Sequence, residues 1–159
     1  METIVRIIPW DYSDESHRQA VVTLIEAYIN DEMGGGNPLS EEGRARLTEG
    51  LGCHPGAIVL LAIVGGTYAG LLVAFENFST FTARPMVNIH DVVVLPSYRG
   101  RGIGRRLLDG IIDEAGRRGA SRLTLEVRKD NVVAQKLYRS LGFEETDPGM
   151  YYWRKYLPS

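Results

Sequence analysis

The sequence predicts one α/β (α+β) domain, a mixed sheet of about seven strands with helices on both faces. Three observations carry that expectation. The chain has 159 residues, one domain's worth at roughly 150 residues per domain. Its composition, 44% hydrophobic and 24% charged, lies near the globular average and excludes disordered, collagen-like and disulfide-scaffold chains. Strands in hairpin order come first and helices alternating with strands come later, with no internal repeat, an order that suits a mixed sheet between two helix layers.

Residues 3–8 are β-branched and end at Pro9, as a first strand does. Ser16-His17-Arg18-Gln19 has capping-box spacing, and Ala20, Val21, Leu24, Ile25, Tyr28 and Ile29 follow at helical intervals over about four turns. Gly34-Gly35-Gly36-Asn37-Pro38 breaks that helix, and Ser40-Glu41-Glu42 opens a second, short one ending near Gly50 or Gly52. Ala57–Val64 reads as a buried strand, Gly65-Gly66 as a hairpin turn and residues 67–76 as the returning strand. Residues 77–85 read as a loop exposing Phe78 and Phe81, and 87–95 as a strand stopped by Pro96. Ile103, Leu107, Leu108, Ile111, Ile112 and Ala115 form the apolar stripe of the next helix. Residues 122–128 are a strand. Val133, Ala134, Leu137, Tyr138 and Leu141 mark a further helix, closed by Gly142. Residues 143–146 and 150–156 finish as two strands around Asp147-Pro148-Gly149.

Several classes fall away. The one cysteine, Cys53, forms no intramolecular disulfide, which suits a reducing compartment. The longest apolar run, Ala57–Val64, is far short of the ~20 residues that cross a bilayer. Met1-Glu2-Thr3-Ile4-Val5-Arg6 lacks the basic start and apolar stretch of a signal peptide. The expectation is a soluble, cytoplasmic chain with no membrane partner.

The net charge of −2 is unevenly spread: residues 1–96 hold 5 basic and 12 acidic side chains, residues 97–159 hold 13 and 8. The basic part centres on Arg99-Gly100-Arg101-Gly102-Ile103-Gly104, between a strand ending Val92-Val93-Val94 and an amphipathic helix. Glycines permit close backbone approach and positive φ. The free N–H groups of the following helix start, with its dipole, make an anion site. Arg99, Arg101, Arg105 and Arg106 add cations able to pair with phosphates. The turn is neither a Rossmann fingerprint, which needs glycine where Arg105 stands, nor a Walker A loop, which needs Gly-Lys-Ser/Thr. A plain basic turn or a nucleic-acid patch are the alternatives. No aromatics interleave residues 99–106 and the total charge is negative, so no nucleic-acid partner is expected.

Arg99-x-x-Gly102-x-Gly104 after a hydrophobic strand resembles the acetyl-CoA pyrophosphate loop of the GCN5-related N-acetyltransferase (GNAT) superfamily. Asn131-x-x-Ala134-x-x-x-Tyr138-x-x-x-Gly142-Phe143 is similar to that family's later motif, on a strand-helix unit. The clear motifs cover about residues 87–146, and the order of elements extends the likeness over nearly the whole chain. The resemblance implies a mostly antiparallel sheet, splayed between its fourth and fifth strands, and a single N-acetyltransferase domain over 1–159. It implies acetyl transfer from acetyl-CoA to an amine, with no metal. Val92, Val93 and Val94 would meet the pantetheine arm and supply the oxyanion donor. Arg99, Gly100, Arg101, Gly102, Ile103, Gly104 and Arg105 would hold the diphosphate, with Asn131, Ala134 and Tyr138 completing the cofactor site.

Such a reaction needs a base for the attacking amine and an acid for the leaving thiolate. Tyr138 is the acid candidate, since the family places this tyrosine near the CoA sulfur; a core aromatic with a polar tip is its structural alternative. Glu126 stands twelve residues before Tyr138, as does the base of ribosomal-protein alanine N-acetyltransferases, which this stretch resembles. His90 falls where spermidine/spermine-type enzymes carry a glutamate, and an imidazole exchanges protons near neutrality. Asp91, other acidic groups or ordered water remain open as bases. Strict alternation puts His90, Val92 and Val94 on one face of the strand and Asp91 and Val93 on the other, unless the family's bulge intervenes. Asn131 also suits a helix N-cap, and Lys136 and Arg139 read as solvated charges. Acceptor recognition is expected from Glu26, Tyr28, Asp31 and Glu32 with Phe78 and Phe81, a set that suits a cationic amine. A homodimer through the last strands, with Tyr151-Tyr152-Trp153, is a further implication. The competing function is a CoA-binding regulatory module of the same fold with little turnover.

Overall fold

The fold is described from a computed structural model over residues 4–159. Thr3, expected to start the first strand, lies outside the described residues, as do Met1 and Glu2. Two compact units are present, one ending at Glu126 and one running Val127–Ser159.

The first unit is a five-stranded sheet in the order β1-β2-β3-β4-β5. Its strands are β1 (Val5–Pro9), β2 (Ala57–Val64), β3 (Thr67–Ser79), β4 (Arg84–Val94) and β5 (Leu123–Leu125). The first three pairings are antiparallel and β4–β5 is parallel. Gly65 and Gly66, with φ of 56° and 83°, form the two-residue turn that joins β2 to β3 without splaying them. The β3–β4 hairpin runs farther than expected. Phe78 pairs with Pro85 and Ser79 with Arg84, so the loop placed at 77–85 shrinks to residues 80–83. Cross-strand pairs carry the ladder through a stretch whose composition suggested a loop.

Helix α1 (Glu15–Ile29) begins just before the expected capping box. Asp14 is the N-cap, its carboxylate accepting from the Ser16 amide at 2.8 Å, and the Ser16 hydroxyl donates to the same oxygen. Ser40 caps α2 (Glu41–Cys53) by accepting from the Gly43 amide at 3.0 Å, as its sequence suggests. Helix α3 (Ile103–Arg117) follows β4.

Strand parity separates two core layers. Val59, Leu61, Leu71, Val73 and Val93 pack with Ala20, Val21 and Leu24 of α1 and Leu51 of α2. The opposite face takes α3: the nearest side chains over Gly70 belong to Ile103 and Leu107, and Gly110 lies against Leu60 and Ile7. Ile103, Leu107, Leu108 and Ile111 are fully buried. Each such aliphatic side chain contributes about 1.5–3 kcal/mol. The C-terminal end of α3 is tied to β3 by Glu114, which pairs with Arg117 and Arg118, while Arg118 reaches Glu76.

In the second unit, α4 (Val132–Ser140) starts at Asn131 and is followed by Gly142 at φ 88°. The last two expected strands do not form, which corrects the count from about seven to five. Aromatic content raises strand propensity at 150–156, but a strand exists only as part of a ladder, and none includes residues 143–159. Met150, Tyr151, Trp153 and Tyr156 are exposed. Among the described residues no helix is long and apolar enough to cross a membrane.

Candidate functional site

The site begins where β4 loses its regularity. Val73 pairs with Asp91 and Ala74 with Ile89, which leaves His90 as the extra residue of a β-bulge. Asp91 and Val93 share the face of the α1–α2 layer, and Val92 and Val94 lie opposite Leu72 and Gly70 on the α3 side. Strict alternation therefore holds for those four and fails for His90. The His90 ring meets Phe75 edge-on at 4.7 Å, and Phe75 meets His54 in the same way at 4.8 Å. Phe75 packs against the α1–α2 layer, so His90 sits on that side rather than with Val92. Burial pushes the Asp91 carboxyl above the usual aspartate range, with the His90 charge opposing it.

The other edge of β4 is only partly used. Strand β5 pairs with Val87, Asn88 and Ile89 and no farther. The Asn88 amide donates to the Thr124 hydroxyl at 2.9 Å within that short ladder. From His90 to Val94 no strand among the described residues pairs with this edge, so alternate main-chain groups there remain open to a ligand. Glu126 follows Leu125 directly and is exposed.

Beyond β4, Pro96–Tyr98 forms one 3-10 turn leading into Arg99. Gly100 and Gly102 have φ of 76° and 74°, a left-handed conformation that disfavours other residues. A Cβ at either would meet nothing within 4 Å. Gly102 is the N-cap of α3, and no side chain caps it. The first-turn amides of α3 thus start from a residue with no side chain of its own, beside open space. The arginines are occupied elsewhere. Arg99 donates through Nε to the Val94 carbonyl at 3.1 Å and through Nη2 to Asp31 at 2.7 Å. Arg101 donates to the Ser97 carbonyl and lies over the Tyr98 ring, and Arg106 reaches the Val5 carbonyl. With those arginines engaged, the main-chain amides are the groups this turn offers to an anion.

In the second unit the Asn131 side-chain carbonyl oxygen accepts from the Ala134 amide at 3.2 Å, the N-cap role. Tyr138 packs edge-to-face on Phe143 at 6.0 Å, and its main-chain carbonyl accepts from the Leu141 and Phe143 amides. Arg128 pairs with Asp130, whose carboxyl it holds below the usual range.

The acceptor candidates are scattered. Glu26 lines a groove between α1 and α2 and pairs with Arg44. Tyr28 is half-buried against the α1–α2 layer. Asp31 is committed to Arg99. Phe78 and Phe81 are exposed at the β3–β4 hairpin, 64% and 93% respectively. Sequence reasoning missed His54 and Phe75, which no local motif marks, and the Asp31–Arg99 pair, which spans 68 positions.

A main-chain anion cradle next to an unpaired strand edge fits a ligand with a diphosphate and an amide-bearing arm, the chemistry of coenzyme A. Among the described residues no group of three His, Cys, Asp or Glu is arranged to hold a metal.

Comparison with known proteins bears on the family and the fold. The model of the Acetyltransferase (GNAT) family matches residues 12–143. N-alpha-acetyltransferase RimI of Mycobacterium tuberculosis is 42% identical over 93 residues, 57% of each chain. The chain spans less than two-thirds of the length of the curated relatives it matches, between 22% and 64% for three of them. The crystal structure of a probable acetyltransferase superposes with a TM-score of 0.82 at 23% identity, covering 97% of this chain and 99% of that one. An aminoglycoside N-acetyltransferase in complex with CoA superposes at 0.77 and 20% identity, covering 98% and 97%.

Proposed function

The chain belongs to the Acetyltransferase (GNAT) family, and from that membership we propose that it is an N-acetyltransferase. Its donor is acetyl-CoA, its acceptor is the primary amine of a small molecule or peptide, and attack is direct within a ternary complex. The observation that carries this reading is continuity: the open edge of β4 from His90 to Val94 leads through one turn into the uncapped start of α3.

Bound acetyl-CoA supplies an activated thioester carbonyl. Main-chain groups of Val92, Val93 and Val94 hold the pantetheine amides, and one of their N–H groups donates to the carbonyl oxygen as its charge grows. The amides of residues 100–105 hold the diphosphate on the α3 dipole. Asn131 and Ala134 add contacts from the second motif, and the Tyr138 phenol gives a proton to the departing sulfur. We read His90, at the bulge, and Glu126, just beyond β5, as the candidates to take the proton of the attacking amine, with Asp91 or water as alternatives. Residues 1–159 work as one domain in the cytoplasm, without metal, nucleic acid or membrane.

The acceptor is read as cationic, and a relative named as an N-alpha-acetyltransferase makes short peptides with free N-termini the first choice. The test is free-thiol release from acetyl-CoA against peptides, polyamines, amino acids and aminoglycosides. Release with one class identifies the enzyme and its acceptor together. Tight CoA binding without release for any class would leave the regulatory module instead.

A further inference from the structure

We propose that Asp31 is a positioning residue for the glycine turn, acting through Arg99 to hold the main-chain cradle in its anion-binding shape. This rests on the CoA reading above.

Both carboxylate oxygens of Asp31 are in use. Oδ1 accepts from the Met33 amide at 3.0 Å and Oδ2 accepts from Arg99 Nη2 at 2.7 Å. The Asp31 main chain is fixed as well: its amide donates to the Tyr28 carbonyl, and its carbonyl accepts from Gly34. Asp31 lies two residues beyond the end of α1, with its side chain 21% exposed. Arg99 is held at two points of one planar fork, Asp31 on one side and the last carbonyl of β4 on the other. Two anchors on a guanidinium set its orientation as well as its position.

The place of that fork matters because Arg99 is joined directly to Gly100. Gly100 and Gly102 are free of the steric limits that a Cβ imposes on the backbone. A turn built on such residues keeps one shape only if its ends are fixed. One end is the first hydrogen-bonded turn of α3, where the Arg106 amide donates to the Gly102 carbonyl. The other is Arg99. A carboxylate spent on two protein donors is poorly disposed to receive an acceptor ammonium, so Asp31 acts on the donor side of the reaction.

Asp31→Asn isolates the effect, because the amide oxygen keeps the Met33 contact while the charge partner of Arg99 is lost. The expected result is CoA affinity about threefold to fivefold weaker by calorimetry, the size a half-exposed pair supports. The KM for acetyl-CoA rises alike, while kcat and the KM for the amine stay at wild-type values. Arg99→Lys should match it, the double variant should lose no more than either alone, and Asp31→Glu should recover part of the affinity. Amide hydrogen exchange at residues 100–105 of the unliganded protein should quicken in Asp31→Asn. A raised amine KM with unchanged CoA affinity would make Asp31 an acceptor ligand and overturn the proposal, as would unchanged exchange. If the wild-type protein fails to bind CoA, the proposed function falls, and the exchange rates alone decide the role of Asp31.

Discussion

His90 and Glu126 are the first residues beyond the last rung of the β4–β5 ladder, the Ile89–Leu125 pair. An imidazole and a carboxylate therefore follow the end of the parallel ladder, one on each strand. The bulge adds a second consequence, since it carries the His90 ring to Phe75 and leaves Asp91 facing the α1–α2 layer.

The two base candidates separate by mutation. His90→Ala and Glu126→Gln should differ sharply, the true base losing about 10²–10⁴-fold in kcat and the other less than tenfold. Steady-state rates of both variants check this, and wild-type-like rates for both would hand the role to water.

Tyr138→Phe should lower kcat while CoA affinity stays near wild type. A phenol that donates to the leaving sulfur is needed in the transition state and not in the bound state. Pre-steady-state thiol release and calorimetry on the same variant decide it. An unchanged rate would remove the Tyr138 phenol from the reaction.

Gly102→Ala places a side chain on a left-handed residue with φ of 74°. About 1–2 kcal/mol of stability should be lost, and CoA affinity should fall further because the added methyl projects into the open space proposed for the diphosphate. Gly102→Asn should recover much of the stability, since asparagine tolerates this conformation. Urea titration and calorimetry read the two effects separately.

Asp91 and Glu114 should show opposite pH dependences. Burial raises the Asp91 carboxyl, so the folded state holds its proton longer than the unfolded chain does. Stability is lost as the pH climbs from the ordinary aspartate value through the raised one. Asp91→Asn should then melt higher than wild type at pH 7, by about 2–4 °C for each kcal/mol gained, with the gain vanishing in acid. Glu114 is lowered by its bonds from Arg117 and Arg118. Its contribution is present at neutral pH and lost as the pH falls below the ordinary glutamate value. Glu114→Gln should cost about 0.5 kcal/mol at pH 7 and progressively less as the pH falls, read from melting curves across the acid range.

Local chemistry was legible in the sequence wherever one short segment decides the outcome. Ser40 caps its helix, Gly65-Gly66 turns its hairpin, and the glycine-arginine turn stands between strand and helix, because each depends on neighbours in the chain. Outcomes set by distant partners were not legible. A bulge in β4 was implied by the resemblance, but its place at His90 depends on how β4 registers against β3, and the length of β5 on how far β4 accompanies it. Arg99 reads as a phosphate ligand in isolation, and its partner lies 68 positions away. The aromatic tail reads as strand because side-chain propensity is written in the sequence and the presence of a pairing partner is not.

An uncovered length of strand invites company. Residues 90–94 offer backbone hydrogen-bonding groups along a stretch that no neighbouring strand claims among the described residues, and any extended chain can add itself there. The protein without its ligand should thus be the form most inclined to self-association during purification or storage, and saturating coenzyme A should act as its guardian against clumping.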